Sequence, residues 1–280
     1  MLDELRKTCR TLLAEGKVNV VIGYGQDDPA LPAYPIFVTR PEDVDLLVWN
    51  DMCLPNLTGY LTRREIKALG TLAVVVKGCD ERALVVLTKE SQIDRSQTVA
   101  IGMACDGVGN PREAKCAICD VHQPKHSDVI IGQAKSRPIE AGQRYAEVEE
   151  FMKKSPAERM AFWQEELSRC VKCYACRQVC PLCYCNRCLA DKNQPQCIDT
   201  SATLKGNFAW HLTRAFHQAA RCVGCDECTR ACPVGINLRL LNLTLARSAE
   251  EHFGYRSGMD PEAEPAVGAY GLQDKEDFIR

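Results

Sequence analysis

The chain of 280 residues has little net charge, no long apolar run and no basic segment. Its formal net charge of −2 excludes the strongly basic surface that most nucleic-acid-binding proteins carry. The longest apolar runs, such as Leu72–Val76, are far too short to cross a bilayer. Residues 1–10 mix acidic and basic side chains and lack the apolar core of a signal peptide. We therefore expect a cytoplasmic protein without a transmembrane segment.

Signatures of common enzyme classes are also missing. No Ser–His–Asp set or carboxylate pair indicates hydrolysis. The glycines of Gly23–Gly25 follow an apolar segment, but they lack the G-x-G-x-x-G pattern of a dinucleotide-binding turn. We interpret that segment as an ordinary loop after a strand.

Cysteine, by contrast, is abundant and unevenly placed. Of the 18 cysteines, four lie between Cys79 and Cys119 and twelve between Cys170 and Cys232. In a chain without an export signal, this number indicates metal ligation in a reducing cytoplasm.

Two segments repeat one cysteine pattern. Residues 170–181, here the first motif, read C-V-K-C-Y-A-C-R-Q-V-C-P, and residues 222–233, the second motif, read C-V-G-C-D-E-C-T-R-A-C-P. Both have the spacing C-x2-C-x2-C-x3-C-P, the bacterial-type signature of a 4Fe–4S cluster. Zinc takes four ligands in two pairs, and neither zinc nor disulfides explain two identical runs closed by proline. The motifs therefore predict two cubanes and a role in electron transfer.

In two-cluster ferredoxins the fourth cysteine of each motif ligates the other cluster. On that logic the two sites exchange Cys180 and Cys232. The first quartet is Cys170, Cys173, Cys176 and Cys232. The second quartet is Cys222, Cys225, Cys228 and Cys180.

A third quartet lies in the first half of the chain: Cys79, Cys105, Cys116 and Cys119. Cys79 and Cys105 each follow a predicted strand, and parallel strands bring such residues to one sheet edge, where α/β proteins place their sites. We predict a third 4Fe–4S cluster there. Zinc and free buried thiols are the alternatives, and Cys53 could replace one of the four.

Four more cysteines follow the first motif closely: Cys183, Cys185, Cys188 and Cys197. Their spacing is not standard for a cubane, so a fourth cluster and a zinc site both remain open. Four cations also alternate with the motif cysteines: Lys172, Arg177, Arg221 and Arg230. They would either raise the cluster potentials or form a solvated basic rim.

Apolar periodicity predicts strands alternating with helices up to about residue 140, and helices thereafter. The predicted helices of the first half are residues 2–15, with Cys9 on the apolar face, and Asp43–Trp49, Asn56–Leu69 and Arg82–Glu90. Residues 1–140 should form an α/β domain with a mostly parallel sheet. Residues 141–254 should form an α-helical dicluster ferredoxin domain, because no β-hairpin pattern separates the motifs. Residues 255–280, rich in Gly, Pro and acidic residues, should be an extended tail.

Several segments in residues 15–135 resemble a known family. They include G-K-V-N-V-V-I-G, V-V-V-K-G-C-D-E-R-A-L, I-G-M-A-C-D-G-V and K-C-A-I-C. This order resembles the beta subunits of deazaflavin (coenzyme F420)-reducing hydrogenases and formate dehydrogenases, in which an α/β domain carries FAD and iron–sulfur clusters. The cysteines of the third quartet match the cysteine-bearing turns of that family. The second half resembles the helical dicluster ferredoxins of heterodisulfide-reductase-like complexes.

Together the two resemblances imply a subunit of a multi-subunit anaerobic oxidoreductase. Its partners would be catalytic and flavin-containing subunits of a heterodisulfide-reductase-, hydrogenase- or formate-dehydrogenase-like complex. The family's glycine-rich first segment, which helps to hold the flavin, has no counterpart here, so FAD stays open. Without FAD the chain would relay single electrons between partners. With FAD it would itself oxidise or reduce a deazaflavin or a nicotinamide.

Overall fold

The structure is a computed structural model that describes residues 1–135, 137–191, 194–195 and 197–266. Its strands are β1 (Val20–Gly25), β2 (Tyr34–Val38), β3 (Leu72–Val76), β4 (Thr98–Met103) and β5 (Val129–Ile131). They form one sheet in the order β2-β1-β3-β4-β5. Only β2 is antiparallel to its neighbour, and the other pairs are parallel. The predicted α/β unit with a mostly parallel sheet is confirmed.

The two central strands carry the core of this half. Every residue of β1 and of β3 is buried, as expected for parallel strands that are covered on both faces. Helix α1 (Leu2–Ala14) contributes Leu5, Cys9 and Leu13 to the same core. Cys9 is therefore a core residue, as its place on the apolar face of α1 predicts.

Helix α3 (Gly78–Lys89) follows β3 almost directly and begins four residues before the predicted start at Arg82. The carboxylate of Asp80 accepts a hydrogen bond from the backbone N–H of Lys77 at 3.1 Å and so closes the first turn. A Cβ at position 78 would overlap the carbonyl oxygen of Val121, so only glycine fits there. This close approach holds the segment around Val121 against the start of α3.

Helices predicted over Asp43–Trp49 and Asn56–Leu69 differ from the structure. The structure has 3-10 helices at Pro41–Leu46 and Leu57–Thr62, followed by the single turn α2 (Arg64–Lys67). The side chain of Asn56 accepts hydrogen bonds from the backbone and the hydroxyl of Thr58 at 3.0 and 2.6 Å. Such local bonds compete with those of a regular α-helix.

After β4 the described chain is mainly helical. The helices are α4 (Ala114–Ala117), α5 (Ala141–Arg144), α6 (Ala146–Met152), α7 (Pro156–Ser168), α8 (Ala175–Gln178), α9 (Leu204–Gln218), α10 (Glu227–Arg230) and α11 (Leu238–Phe253). Short 3-10 helices lie at Arg95–Gln97 and Leu189–Asp191. Helix α7 begins with a capping box, in which Ser155 and Glu158 satisfy each other's backbone N–H groups.

The helical half packs directly on the sheet half. Leu182, Val223 and Cys225 belong to the same buried core as the strands. Residues 255–266 form no helix or strand, and the carbonyl of Ser257 accepts hydrogen bonds from Arg82 of α3 at 2.8 and 2.9 Å. Residues 267–280, the rest of the predicted tail, lie outside the described residues.

Across the described residues, no helix combines the length and the apolar character that a bilayer span requires.

Candidate metal centres

The cysteines of the first quartet line one cavity of about 370 Å³, here the first cavity. Three of them come from the first motif, and Cys232 reaches the cavity from the second motif. Trp210, His211 and Leu238 also line it. The side chains are thus grouped as the exchange of fourth cysteines predicts. That they bind a cluster stays a prediction.

The second quartet lines a separate cavity of about 380 Å³, the second cavity. Here Cys180 of the first motif joins the first three cysteines of the second motif. Arg214, Gln218 and Asn242 also line this cavity, and the amide of Asn242 lies 3.6 Å from the Sγ of Cys228. The two cavities have the same kind of lining and nearly the same size.

The two motifs share one backbone conformation. The third and fifth residues of each have a positive φ: Lys172 (54°), Tyr174 (59°), Gly224 (71°) and Asp226 (63°). Alternating right- and left-handed residues turn successive N–H groups to one side, which makes a concavity that binds anions, including many iron–sulfur clusters. The N–H of Lys172 accordingly donates to the Sγ of Cys170 at 3.4 Å. A bound anionic cluster would be stabilised by the same groups.

Helix α9 presents a row of polar side chains to both cavities. The row consists of Asn207, His211, Arg214 and Gln218, all buried. Asn207 donates to the carbonyl of Cys170 at 2.7 Å, and Gln218 donates to the Sγ of Cys183 at 3.4 Å. The spacing of three and four residues is a sequence signal for one helix face, but only the fold shows that this face meets the cysteines.

His211 lies against the first quartet. Its Nε2 is 3.3 Å from the Sγ of Cys170. Burial, with the nearby charges of Arg214 and Lys172, lowers the pKa of His211 to about 3. Burial thus favours the neutral imidazole, which, with its proton on Nε2, would donate to a Cys170 thiolate. Such a bond favours the more negative, reduced form of a cluster.

All four cysteines of the third quartet line a third cavity, which has an empty volume of about 920 Å³ including its mouth. Cys79 lies in the first turn of α3, Cys105 follows β4, and Cys116 and Cys119 flank the end of α4. The N–H of Gly107 donates to Cys105 Sγ at 3.4 Å, and that of Val108 to Cys116 Sγ at the same distance. The carboxyl edge of the parallel sheet thus brings these thiols together.

Cys53, the alternative ligand, has different surroundings. It is fully buried, and its Sγ accepts from the N–H of Asn50 at 3.4 Å. Burial raises the pKa of its thiol to about 11. It is not among the residues that line the third cavity. The geometry favours Cys79, Cys105, Cys116 and Cys119 as the set.

The second and third cavities adjoin each other. Cys222 lines both. Lys115, next to Cys116 in the chain, is buried and donates to the carbonyl of Cys225 at 2.9 Å. Arg82 of α3 donates to the carbonyl of Val223 at 2.9 Å. The α/β half and the second motif are thus joined through the walls of the two sites.

A network of ion pairs lies beside the third cavity. Asp120, next to Cys119, pairs with Arg144 at 2.9 Å and with Arg256 at 2.6 Å. Arg144 also pairs with Glu250 of α11 at 2.8 Å. Although burial opposes its ionisation, the two guanidinium groups lower the pKa of Asp120 to about 2. The network ties the cysteine loop to α5, α11 and residues that follow α11.

We expect Asp120→Asn to lower the free energy of unfolding by about 2 kcal/mol at pH 7, because Arg256 loses its carboxylate partner and Arg144 keeps only Glu250. Since folding lowers this pKa, the stabilisation is present above the unfolded value of about 4 and is lost as pH falls through about 2. Anaerobic urea denaturation at pH 7 measures the effect. Glu150→Gln, which breaks an exposed pair with Lys153, is the control. If Asp120→Asn unfolds at the same urea concentration as Glu150→Gln, the expectation is contradicted.

The four cysteines after the first motif lie in three different surroundings. Cys183 and Cys185 line a polar surface cavity together with Cys180. Cys188 packs in a buried cluster that contains Trp210. Cys197 is exposed, and its thiol donates to the carbonyl of Pro195 at 3.1 Å. The arrangement supports a fourth metal site less well than the three quartets support theirs.

Within the described ranges, no three His, Cys, Asp or Glu side chains lie close enough together to hold a single metal ion. Zinc requires four ligands around one ion, whereas the thiolates of a cubane bind irons at separate corners and lie further apart.

Fold and site together define an α/β protein with cysteine-lined cavities in both halves. No family model matches the sequence. The chain is 24% identical to the F420-dependent formate dehydrogenase 1 subunit beta of Methanococcus maripaludis, with 92% of this chain and 90% of the relative aligned. It is 20% identical to the F420-dependent formate dehydrogenase subunit beta of Methanocaldococcus jannaschii, with 91% of each chain aligned.

The resemblance to beta subunits of F420-dependent formate dehydrogenases, predicted for residues 15–135, is thus confirmed, and the alignments extend it to nine-tenths of the chain. These relatives are subunits of oxidoreductases. The alignments extend over 354 and 348 positions, more than this chain has residues, so the relatives contain segments that this chain lacks.

Proposed function

We propose that this chain is an iron–sulfur electron-transfer subunit of a multi-subunit anaerobic oxidoreductase. The α/β domain of residues 1–140 would hold one 4Fe–4S cluster, and the helical ferredoxin domain of residues 141–254 would hold two. One observation carries the proposal: each of the three quartets lines its own cavity, and two of these cavities exchange their fourth cysteine. The relatives, as subunits of oxidoreductases, support the same function.

The residues of each site suit a cluster. Soft thiolate ligands select iron–sulfur clusters and similar centres, and each quartet consists only of thiols. Backbone N–H groups such as those of Lys172, Gly107 and Val108 already point at the sulfurs. When bound, such clusters accept and donate one electron at a time. All 18 cysteines are free thiols, which suits a reducing cytoplasm.

The order of the sites supports a relay between partners. The first and second cavities meet at Arg214, which lines the second and donates to Cys176 of the first quartet. Cys222 joins the second cavity to the third. At the far end, Cys173 is exposed and Val171 has 62% of its surface accessible. We propose that the first site faces one partner subunit and the third site another.

Anaerobic purification should yield about twelve irons per chain, four for each quartet, and three distinct EPR signals during a redox titration. A fourth cluster at Cys183, Cys185, Cys188 and Cys197 would raise the count to about sixteen. Iron near zero together with bound zinc would overturn the proposal.

A second candidate, an FAD-bearing subunit that reacts directly with a deazaflavin or nicotinamide, is favoured by one observation. Counted with the open space at its mouth, the third cavity has an empty volume of about 920 Å³, whereas the same measure gives about 370 and 380 Å³ for the other two. The additional space is lined by Tyr145, Leu243, Ala246 and Tyr255, among others. Such a mixed apolar and aromatic wall suits a flat redox-active ring beside the third quartet.

Flavin content separates the two candidates. Extraction of the anaerobically purified protein should release about one flavin per chain if the second candidate holds, and none if the chain is a relay alone. Ala246→Phe narrows the additional space without touching a cysteine. If flavin is bound there, this variant should lose it while it keeps its iron. If Ala246→Phe and the unsubstituted protein contain equal amounts of flavin, this cavity is excluded as the flavin site.

A further inference from the structure

Arg214 of α9 lies where the first and second quartets meet. Its side chain is only 4% exposed. Its Nη2 donates to the carbonyl of Cys176, in the first quartet, at 3.1 Å. The same side chain lines the second cavity, with Cys180 and Cys228. Its Nε–H is buried and has no partner among the described residues. A buried donor without a partner indicates a missing acceptor.

Within the described residues the guanidinium has no carboxylate partner, unlike three other arginines near the motifs. Arg221 pairs with Glu90, Arg230 pairs with Glu227, and Arg239 pairs with Glu147. Burial lowers the pKa of Arg214, but nearby cysteines raise it: first Cys183, then Cys180 and Cys228 of the second quartet and Cys176 of the first. A buried cation costs free energy unless a negative group compensates it.

We propose that Arg214 is the shared counter-charge of the first and second sites and holds the reduction potentials of both above the values they would otherwise have. This proposal rests on the electron-transfer function proposed above. Each added electron makes a site more negative, and a fixed positive charge in a low-dielectric interior stabilises that state. Because the guanidinium stays charged at every physiological pH, its effect is constant.

The position explains why arginine is suited to this place. Its planar group has five N–H donors that point in different directions, so one binds the Cys176 carbonyl while others stay free for an acceptor in the second cavity, which the side chain also lines. Lysine would keep the charge but could not reach both sides in the same fixed geometry.

The test compares midpoint potentials from anaerobic EPR redox titrations of the full chain. Arg214→Gln should shift both the first-site and the second-site signals to more negative potentials. Each shift should equal at least a tenfold change in the equilibrium constant for reduction, or about 59 mV for one electron. In Arg214→Lys the equilibrium constants for reduction at both sites should stay within about threefold of those of the unsubstituted protein, because the charge is kept.

Arg177→Gln is the matched control. Arg177 directly follows Cys176 and loses the same charge in this variant, but it is partly exposed and donates to the carbonyls of Cys185 and Asn186. Solvent screens its charge, so the equilibrium constants for reduction at both sites should change less than about threefold. Equal shifts in the Arg177 and Arg214 variants would overturn the proposal.

Iron is measured first in every variant. An unsubstituted protein without iron would refute the electron-transfer function itself. Iron-loaded Arg214→Gln with one potential or neither shifted would refute only the role of Arg214. If the glutamine variant loses its iron, Arg214→Met takes its place, because methionine fills similar space without a buried amide. A tenfold change in the equilibrium constant for reduction in Arg214→Lys would likewise overturn the proposal, because the positive charge remains in that variant.

Discussion

We expect Cys180→Ser to lose the cluster of the second quartet and to keep that of the first. Cys180 belongs to the first motif in the chain, yet its side chain lines the second cavity with Cys222, Cys225 and Cys228. Removing one thiolate from a cubane leaves an iron without its protein ligand, so this cluster should be lost or degraded. The variant should contain about eight irons instead of about twelve.

Two reference variants make this assignment independent of any prior assignment of EPR signals. Cys173→Ser changes a ligand that belongs to the first quartet by motif and by cavity, and Cys225→Ser changes one that belongs to the second by both. The remaining EPR signals of Cys180→Ser should match those of Cys225→Ser. The reciprocal variant Cys232→Ser should match Cys173→Ser. A Cys180 variant that matches Cys173→Ser instead would show that each motif holds its own cluster.

Cys188→Ser serves as a control for damage to the fold. This cysteine lies close to the first motif in the chain and packs beside Trp210, but it does not line either of the first two cavities. Its variant should keep about twelve irons. If the unsubstituted protein contains about twelve irons, loss of iron here as well would mean that serine disturbs the packing of the region; if it contains about sixteen, loss of four would assign Cys188 to the fourth cluster.

The second large effect is expected at the other end of the molecule. Cys105→Ser should reduce the iron content from about twelve to about eight and leave the two ferredoxin-type signals unchanged. Cys105 lines the third cavity just beyond the carboxyl end of β4, and its Sγ accepts from the N–H of Gly107. Burial raises the pKa of its thiol, so a free Cys105 would stay protonated, whereas a bound cluster requires the thiolate.

Cys53→Ser is the matched control for the third site. Cys53 is also a buried cysteine of the α/β half, but it does not line the cavity. The Cys53→Ser variant should keep about twelve irons. Loss of iron in Cys53→Ser with full retention in Cys105→Ser would place Cys53 in the ligand set. Loss of zinc rather than iron from Cys105→Ser would identify the third site as a zinc site.

Much of the fold could be predicted from the pattern of apolar residues. Runs such as Leu72–Val76 are short, continuous and rich in valine, which favours buried strands, and α1 has a clear apolar face. The helix predicted over Asn56–Leu69 failed for a local reason, because the side chain of Asn56 binds the backbone and hydroxyl of Thr58. Helix α3 was predicted too short because its first turn depends on Asp80 and on the fit of Gly78 against Val121.

The candidate sites could be predicted as sets of cysteines, but their surroundings could not. Arg214 was not singled out among the cations near the motifs, since it lies 34 residues beyond Cys180 and 8 residues before Cys222 in the chain. Four other cations were considered because they alternate with the cysteines, and of these Arg221 and Arg230 pair with carboxylates. Position along the chain therefore did not indicate which charge lies between the quartets.

The spacing of the cysteines by itself determined which of them should act together, because a cubane binds thiolates at intervals set by its own size and by the turn that surrounds it. Tertiary structure alone decided how the sites meet. The carboxyl edge of the sheet gathers Cys79, Cys105, Cys116 and Cys119, while the packing of α9 inserts Arg214 between the other two quartets. Burial, charge pairing and contact between distant segments arise only when the core closes, so no local pattern of residues contains them.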